Sequence, residues 1–285
     1  MAVVERPDGA QVYYEVEGSG FPLLLLAPGG VSSEARFFRE SSVLNPFELV
    51  DEFMVIGMNQ RHTTGSPGDL VAPSWSSYAD DQRAVLDALG IDRALLWGGC
   101  IGVGYCLRLI VETPERVVAA VCQDPVGLVE GVNGRSTFWA MFEPTVNLAE
   151  REGMAAVVAS AMSDPLFVRN NAAGPWAPRI SSDPSFRQRV LELDVDEYMA
   201  LVRAWDEHMW GAEGLYMSVP EVAVSGISTP ILVLPGGDVF HPTEISMRLC
   251  AEAPGASCLD VDCRSEAKRS ATMAAVRRFL RDRAS

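Results

Sequence analysis

Short apolar runs alternate along this chain with longer stretches whose apolar residues recur at helical spacing, and the alternation predicts most of its elements. Residues 11–17 alternate polar and apolar ahead of Gly18-Ser19-Gly20, the pattern of an early antiparallel strand that closes in a turn. Residues 21–27, 53–58, 93–97, 117–122 and 230–234 are largely apolar and of strand length, which predicts strands buried on both faces. Ser77 is placed to cap a helix running to Leu89, with Asp80 and Asp81 favourably near its positive end, and a second helical segment ends near Glu112. A helix over 244–252, a short strand over 257–261 and an amphipathic helix over 265–281 close the pattern. Strands alternating with helices predict an α/β fold built on a mostly parallel sheet covered on both faces, with the loops at the strands' carboxyl ends gathered on one rim.

The alternation stops over 131–222, where Trp139, Trp176, Trp205 and Trp210, four of the six tryptophans, sit among helically spaced residues and scattered prolines. This stretch reads as an inserted helical lid, so the α/β core comprises 1–130 and 223–285. Its tryptophans either line an apolar pocket or form the lid's own core. No internal repeat or low-complexity tract interrupts the chain.

Composition narrows the function classes. With 285 residues, 48% of them hydrophobic, the chain can bury a large core. A net charge of −15 repels phosphate backbones and anionic lipid surfaces, so the expected partner is a small-molecule substrate, with no nucleic acid and no membrane; a homo-oligomer stays open. The first residues lack a basic-then-apolar signal and no apolar run approaches the ~20 residues that span a bilayer, which predicts a cytoplasmic protein. Six cysteines in that setting read as reduced thiols. They lack paired C-x-x-C spacing, and His62, His208 and His241 do not form H-E-x-x-H, so neither a metal nor another cofactor is expected.

The candidate chemistry centres on Gly98-Gly99-Cys100-Ile101-Gly102, a G-x-C-x-G pattern between a buried strand and a helix. Glycines two residues either side of Cys100 allow a sharp turn that stands its side chain at the sheet edge, as in a nucleophile elbow with sulfur in place of oxygen. The following helix's free N–H groups favour an anion there. A thiolate nucleophile needs a proton acceptor, and His241, just beyond the strand that precedes Asp238, is the first candidate, with Asp238 to orient it. Asp124 is the alternative acid, and His208 in the lid and His62 are alternative bases. Each has an ordinary structural alternative: loop histidines beside a proline or on a helix surface, and turn aspartates after Gly-Gly or before Pro. Arg61 reads as an ion-pairing residue, and Cys263 is notable only for its place after the last strand.

The order of elements resembles the α/β-hydrolase superfamily over nearly the whole chain, with the lid after the sixth strand. The resemblance rests on Pro28-Gly29-Gly30, residues 61–66, the helix over 78–90, the elbow at 98–102 and the acid strand over 230–238. More narrowly, Gly99-Cys100-Ile101-Gly102 with His241-Pro242 after Asp238 resembles a subgroup with a Cys elbow and mostly unassigned activity. Two departures stand out. The elbow carries Cys, as in dienelactone-hydrolase-like relatives, and the family's His after the last strand is replaced by Asp262-Cys263-Arg264-Ser265. The resemblance implies that Cys100 attacks an ester, lactone or thioester of a hydrophobic small molecule, with the oxyanion held by backbone N–H groups of Ile101 and of Gly29 or Gly30. It also allows a lyase that releases a carboxylate such as acetate, as in polyketide (tetronate-like) tailoring, and a non-catalytic ligand binder on the same fold.

Overall fold

A computed structural model describes residues 2–40, 44–211, 214–260 and 263–284. The apolar runs are strands β3 (Phe21–Leu26), β4 (Phe53–Met58), β5 (Ala94–Gly99), β6 (Val117–Gln123) and β7 (Ile231–Leu234). With β1 (Ala2–Glu5), β2 (Gln11–Glu17) and β8 (Ala256–Cys258) they form one eight-stranded sheet in the order β1-β2-β4-β3-β5-β6-β7-β8. The pairings β1–β2 and β2–β4 are antiparallel and the other five are parallel. The N-terminal β1 has no counterpart in the sequence reading, because four residues with every second one exposed carry too short an alternation to register.

The central strands read as unbroken apolar runs because both faces are covered. Leu24, Leu26, Leu96, Ala120 and Cys122 belong to one core cluster, while their neighbours Leu23, Leu25, Leu95, Ala119 and Val121 belong to another on the opposite face. The second core is closed by Met273, Val276, Phe279 and Leu280 of the helix Arg269–Arg281. The first contains the helices Trp75–Ala88 and Ile101–Glu112 together with the inserted helices.

The insertion lies between β6 and β7 and includes the helices Glu143–Glu152, Met154–Ser163, Pro184–Leu191 and Val195–Asp206, followed by a π-helical turn Glu207–Gly211. Its Trp176, Trp205 and Trp210 sit in the same apolar cluster as Tyr78 and Tyr105 beneath them. The inserted helices and the sheet therefore share one continuous core.

Three local expectations change. Ser74, not Ser77, caps the helix Trp75–Ala88: its hydroxyl accepts from the Ser77 N–H at 3.1 Å while Ser77 Oγ accepts from the Ser74 N–H at 2.9 Å. Ser77 is thus the N3 partner, in the first helical turn, of a reciprocal box, a role its cap propensity disguised. The last strand is shorter than predicted, and residues 261 and 262 lie outside the described residues. The closing helix starts at Arg269 after a 3-10 turn Glu266–Lys268. The expectation that all cysteines are reduced is also corrected: Cys250, on the helix Thr243–Glu252, is disulfide-bonded to Cys258 in β8, with Cα atoms 5.9 Å apart. They stand eight positions apart in sequence, and only the packing of that helix against β8 brings them within bonding range. Cys100, Cys106, Cys122 and Cys263 are not disulfide-bonded. No described helix is long and apolar enough to cross a membrane.

Candidate active site

β5 lies between β3 and β6, and β7 follows β6, so the loops after these four parallel strands gather at one edge of the sheet. Cys100 stands at the end of β5, at φ 56° and ψ −120°, a strained backbone for a residue with a Cβ. The flanking glycines make that turn possible. A Cβ on Gly102 would lie 1.8 Å from the Leu26 carbonyl oxygen, and one on Gly98 would lie 2.3 Å from the Gly102 carbonyl oxygen. The Cys100 N–H donates to the Gln123 carbonyl at 2.9 Å, tying the turn to β6.

Cys100 opens onto a cavity of about 330 Å³, lined also by Gly29, Gly30, Ile101 and His241. Gly29 (φ 119°) and Gly30 (φ 58°) form the turn after β3 that only glycine enters without strain. The remaining wall is apolar, with Val126 from beyond β6, Phe138, Met141, Phe167 and Trp210 from the insertion, and Phe240 beside His241. Asn171 adds a polar group, and its amide donates to the Phe167 carbonyl at 2.7 Å.

The loop after β7 delivers the imidazole. Asp238 Oδ1 accepts the backbone N–H groups of Phe240 and His241 at 2.8 and 2.9 Å, so the loop folds back on its own aspartate. The same oxygen lies 2.8 Å from His241 Nδ1. Nε2 is buried without a hydrogen-bond partner; Cys100 is close enough to bias the ring's charge, yet no fully aligned hydrogen bond joins them. Burial disfavours the charged ring, but the Cys100 sulfur and the carboxylates of Asp124 and Asp238 outweigh it, and His241 is pushed up to about 9. For Asp238, burial is outweighed by hydrogen bonds from Arg264 and His241, which hold it well below the usual carboxylate range. Asp124, just past β6 at φ 56°, goes the other way: burial raises its carboxyl despite Arg264 and His241.

Cys100, His241, Asp238, Asp124, Gly29, Gly30 and Ile101 are thus brought together, whereas His62 and His208 are not. His62 is buried away from the cavity, its ring 4.9 Å from that of Trp205 and 6.4 Å from that of Trp176, with neither nitrogen hydrogen-bonded. Burial, reinforced by the nearby charges of Arg61 and Arg179, pushes it down to about 3 and leaves it neutral. His208 is exposed on the π-helical turn, with Nδ1 3.1 Å from the Pro73 carbonyl. Helical spacing cannot tell a residue that hangs inward from one that points to solvent, and here the inward positions go to Met209 and Trp210. Arg61 pairs with Asp81 at 2.6 and 2.7 Å and with Asp8 at 2.8 Å, a structural role. The tryptophans divide: Trp210 lines the cavity, while Trp176 and Trp205 pack around His62.

Comparison with known proteins agrees with the fold. Residues 22–145 match the family described as alpha/beta hydrolase fold. A thermophilic esterase from Thermogutta terrifontis superimposes over 100% of both chains with a TM-score of 0.63 at 17% identity. The protein has the α/β-hydrolase fold. Among curated relatives, a zearalenone hydrolase from Bionectria ochroleuca is 30% identical over 125 residues, 43% of this chain and 46% of that protein. A putative carbamate hydrolase from Azorhizobium caulinodans is 34% identical over 108 residues, 38% of each chain. The matched part spans less than half the length of these relatives.

Within this α/β-hydrolase fold the residue that the sequence reading missed is Arg264, in the loop after β8. Its guanidinium donates to Asp124 Oδ2 from Nε at 2.7 Å and from Nη2 at 2.5 Å, and to Asp238 Oδ2 from Nη1 at 2.5 Å. Nη2 also lies 2.8 Å from His241 Nδ1. A signal was present: Arg264 falls in the tetrapeptide where the resemblance leads one to look for a histidine. Among the described residues no group of three or more His, Cys, Asp or Glu side chains could hold a metal ion.

Proposed function

We propose that this protein is a hydrolase that uses Cys100 as nucleophile on an ester, lactone or thioester of an apolar small molecule. The observation that carries the reading is the strained Cys100 turn opening onto the same cavity as His241, whose other ring nitrogen is held 2.8 Å from Asp238. In the proposed reaction His241 Nε2 takes the Cys100 thiol proton, and the resulting thiolate adds to the carbonyl carbon. The oxyanion is held by the backbone N–H of Ile101 and one from Gly29 or Gly30, a contribution of about 3 kcal/mol per donor in comparable sites. Collapse expels the alkoxide or thiolate, which takes the proton from His241 Nε2. The neutral ring then accepts a proton from water as it attacks the acyl-Cys100 thioester, releasing the acid and restoring the thiol. The apolar wall favours a substrate with a hydrocarbon body. The names of the relatives, a zearalenone hydrolase and a putative carbamate hydrolase, support hydrolysis in general.

The test is mass spectrometry of the protein mixed with a panel of p-nitrophenyl acyl esters and aliphatic lactones. The expected result is an acyl adduct on the peptide containing Cys100, burst release of nitrophenol, and loss of both in Cys100→Ala. Turnover that persists in Cys100→Ala, or a wild-type Cys100 that iodoacetamide does not modify, sinks the assignment. An alkene product in place of the alcohol would mean elimination.

A further inference from the structure

Two groups converge on a ring nitrogen that can serve only one of them. Asp238 Oδ1 and Arg264 Nη2 each lie 2.8 Å from His241 Nδ1. A carboxylate there needs Nδ1 to carry hydrogen, which leaves the neutral ring a lone pair on Nε2, the form of a general base. A guanidinium there needs Nδ1 to offer its lone pair, which puts the proton on Nε2, the form of a general acid. Arg264 is kept in place by the two bonds from its Nε and Nη2 to Asp124 Oδ2. Asp124 is itself fixed: its backbone sits at φ 56°, and a Cβ on Gly236 would come within 2.2 Å of its Oδ1. That Oδ1 is buried without a hydrogen-bond partner, so Asp124 spends its hydrogen-bonding capacity on Arg264 alone among the described contacts.

We infer that Arg264, clamped by Asp124, is a positioning residue that competes with Asp238 for His241 Nδ1 and so sets which ring nitrogen carries the proton. The inference deepens the proposed function and rests on the His241–Cys100 pairing it invokes. Among the described residues the titratable and charged groups around the ring come from four loops: Cys100 after β5, Asp124 after β6, Asp238 after β7 and Arg264 after β8. Removing the guanidinium deletes a nearby cation and releases both carboxylates toward the ring, and both changes favour the imidazolium. It also removes the competitor for Nδ1, so the neutral ring settles with Nδ1–H on Asp238.

The test is nitrogen NMR of protein labelled with ¹⁵N-histidine, titrated from pH 5 to 11, with the signal assigned by His241→Asn. In Arg264→Met the midpoint of His241 is expected to rise by about one pH unit, a roughly tenfold gain in proton affinity, and the neutral ring to move to the Nδ1–H tautomer. The pH profile of Cys100 alkylation by iodoacetamide should move with it. Arg264→Lys should restore most of the midpoint but not the tautomer, because an ammonium supplies charge without the planar fork. Asp124→Asn, which keeps size and polarity, should move the tautomer in the same direction as Arg264→Met, and it is the variant read if the latter does not fold. A folded Arg264→Met or Asp124→Asn with midpoint and tautomer unchanged, or a wild-type ring wholly in the Nδ1–H form, overturns the inference. An Arg264 effect that survives in Cys100→Ala, alongside a wild-type protein that forms no acyl adduct, would refute the hydrolase reading while leaving this inference standing.

Discussion

At the residue scale the site depends on which atoms cannot be tolerated. Gly102 has no room for a methyl group because the Leu26 carbonyl occupies the place, 1.8 Å from an ideal Cβ. Gly102→Ala must therefore displace either β3 or the helix that follows Cys100. It is expected to cost about 3 kcal/mol or more in urea denaturation. Gly90→Ala provides the comparison. Gly90 has φ 66° but nothing within 4 Å of its missing Cβ, so backbone strain alone applies, at about 1 kcal/mol. Equal losses in the two variants would show that the close approach at Gly102 does not constrain the turn. The G-x-C-x-G spacing was readable in the sequence because the steric demand acts on residues adjacent in the chain. Arg264 was not, because its meaning comes from carboxylates 140 and 26 residues away.

At the scale of elements, the loop carrying Asp238 and His241 leads into the helix Thr243–Glu252, and the loop carrying Arg264 leaves β8, the strand on which that helix packs. The Cys250–Cys258 disulfide joins that helix to β8. Cross-linking across eight residues removes loop freedom from the unfolded chain, for which about 2–3 kcal/mol is typical. Dithiothreitol is expected to lower the thermal midpoint of the wild type by several degrees and to leave a Cys250→Ser/Cys258→Ser double variant unmoved. Thiol titration under denaturing conditions without reductant should find four titratable thiols, those of Cys100, Cys106, Cys122 and Cys263. Six thiols would refute the bond. Element prediction succeeded where apolar runs were long, as in β3, β5 and β6, and faltered at β1 and at the Ser74 cap, where one or two residues carry the whole signal.

At the scale of the whole molecule, two histidines bias stability in opposite directions with pH. His241 is raised to about 9, so it stabilises the fold fully below its unfolded value near 6.5, and that contribution is lost as pH rises from there through 9. His62 is lowered to about 3, so the folded chain resists protonating it. Its contribution is present above 6.5 and is lost as pH falls from 6.5 toward 3. Denaturation curves at successive pH values should flatten on the alkaline side in His241→Asn and on the acid side in His62→Phe, each by a few kcal/mol at most. If neither limb changes, the environments described for these rings do not exist in solution.

The hydrophobic pattern by itself determined the α/β architecture, the central strands and the inserted helices, and the glycine spacing determined the turn that presents Cys100, because each is set by side chains close together along the chain or by a repeat that local geometry imposes. Tertiary structure alone decided which of three histidines shares a cavity with the sulfur, that Cys250 and Cys258 are bonded, and that an arginine stands among two aspartates and an imidazole beyond the last strand. Those outcomes depend on distances between residues far apart in sequence, fixed by the strand order and by the direction in which each loop leaves the sheet.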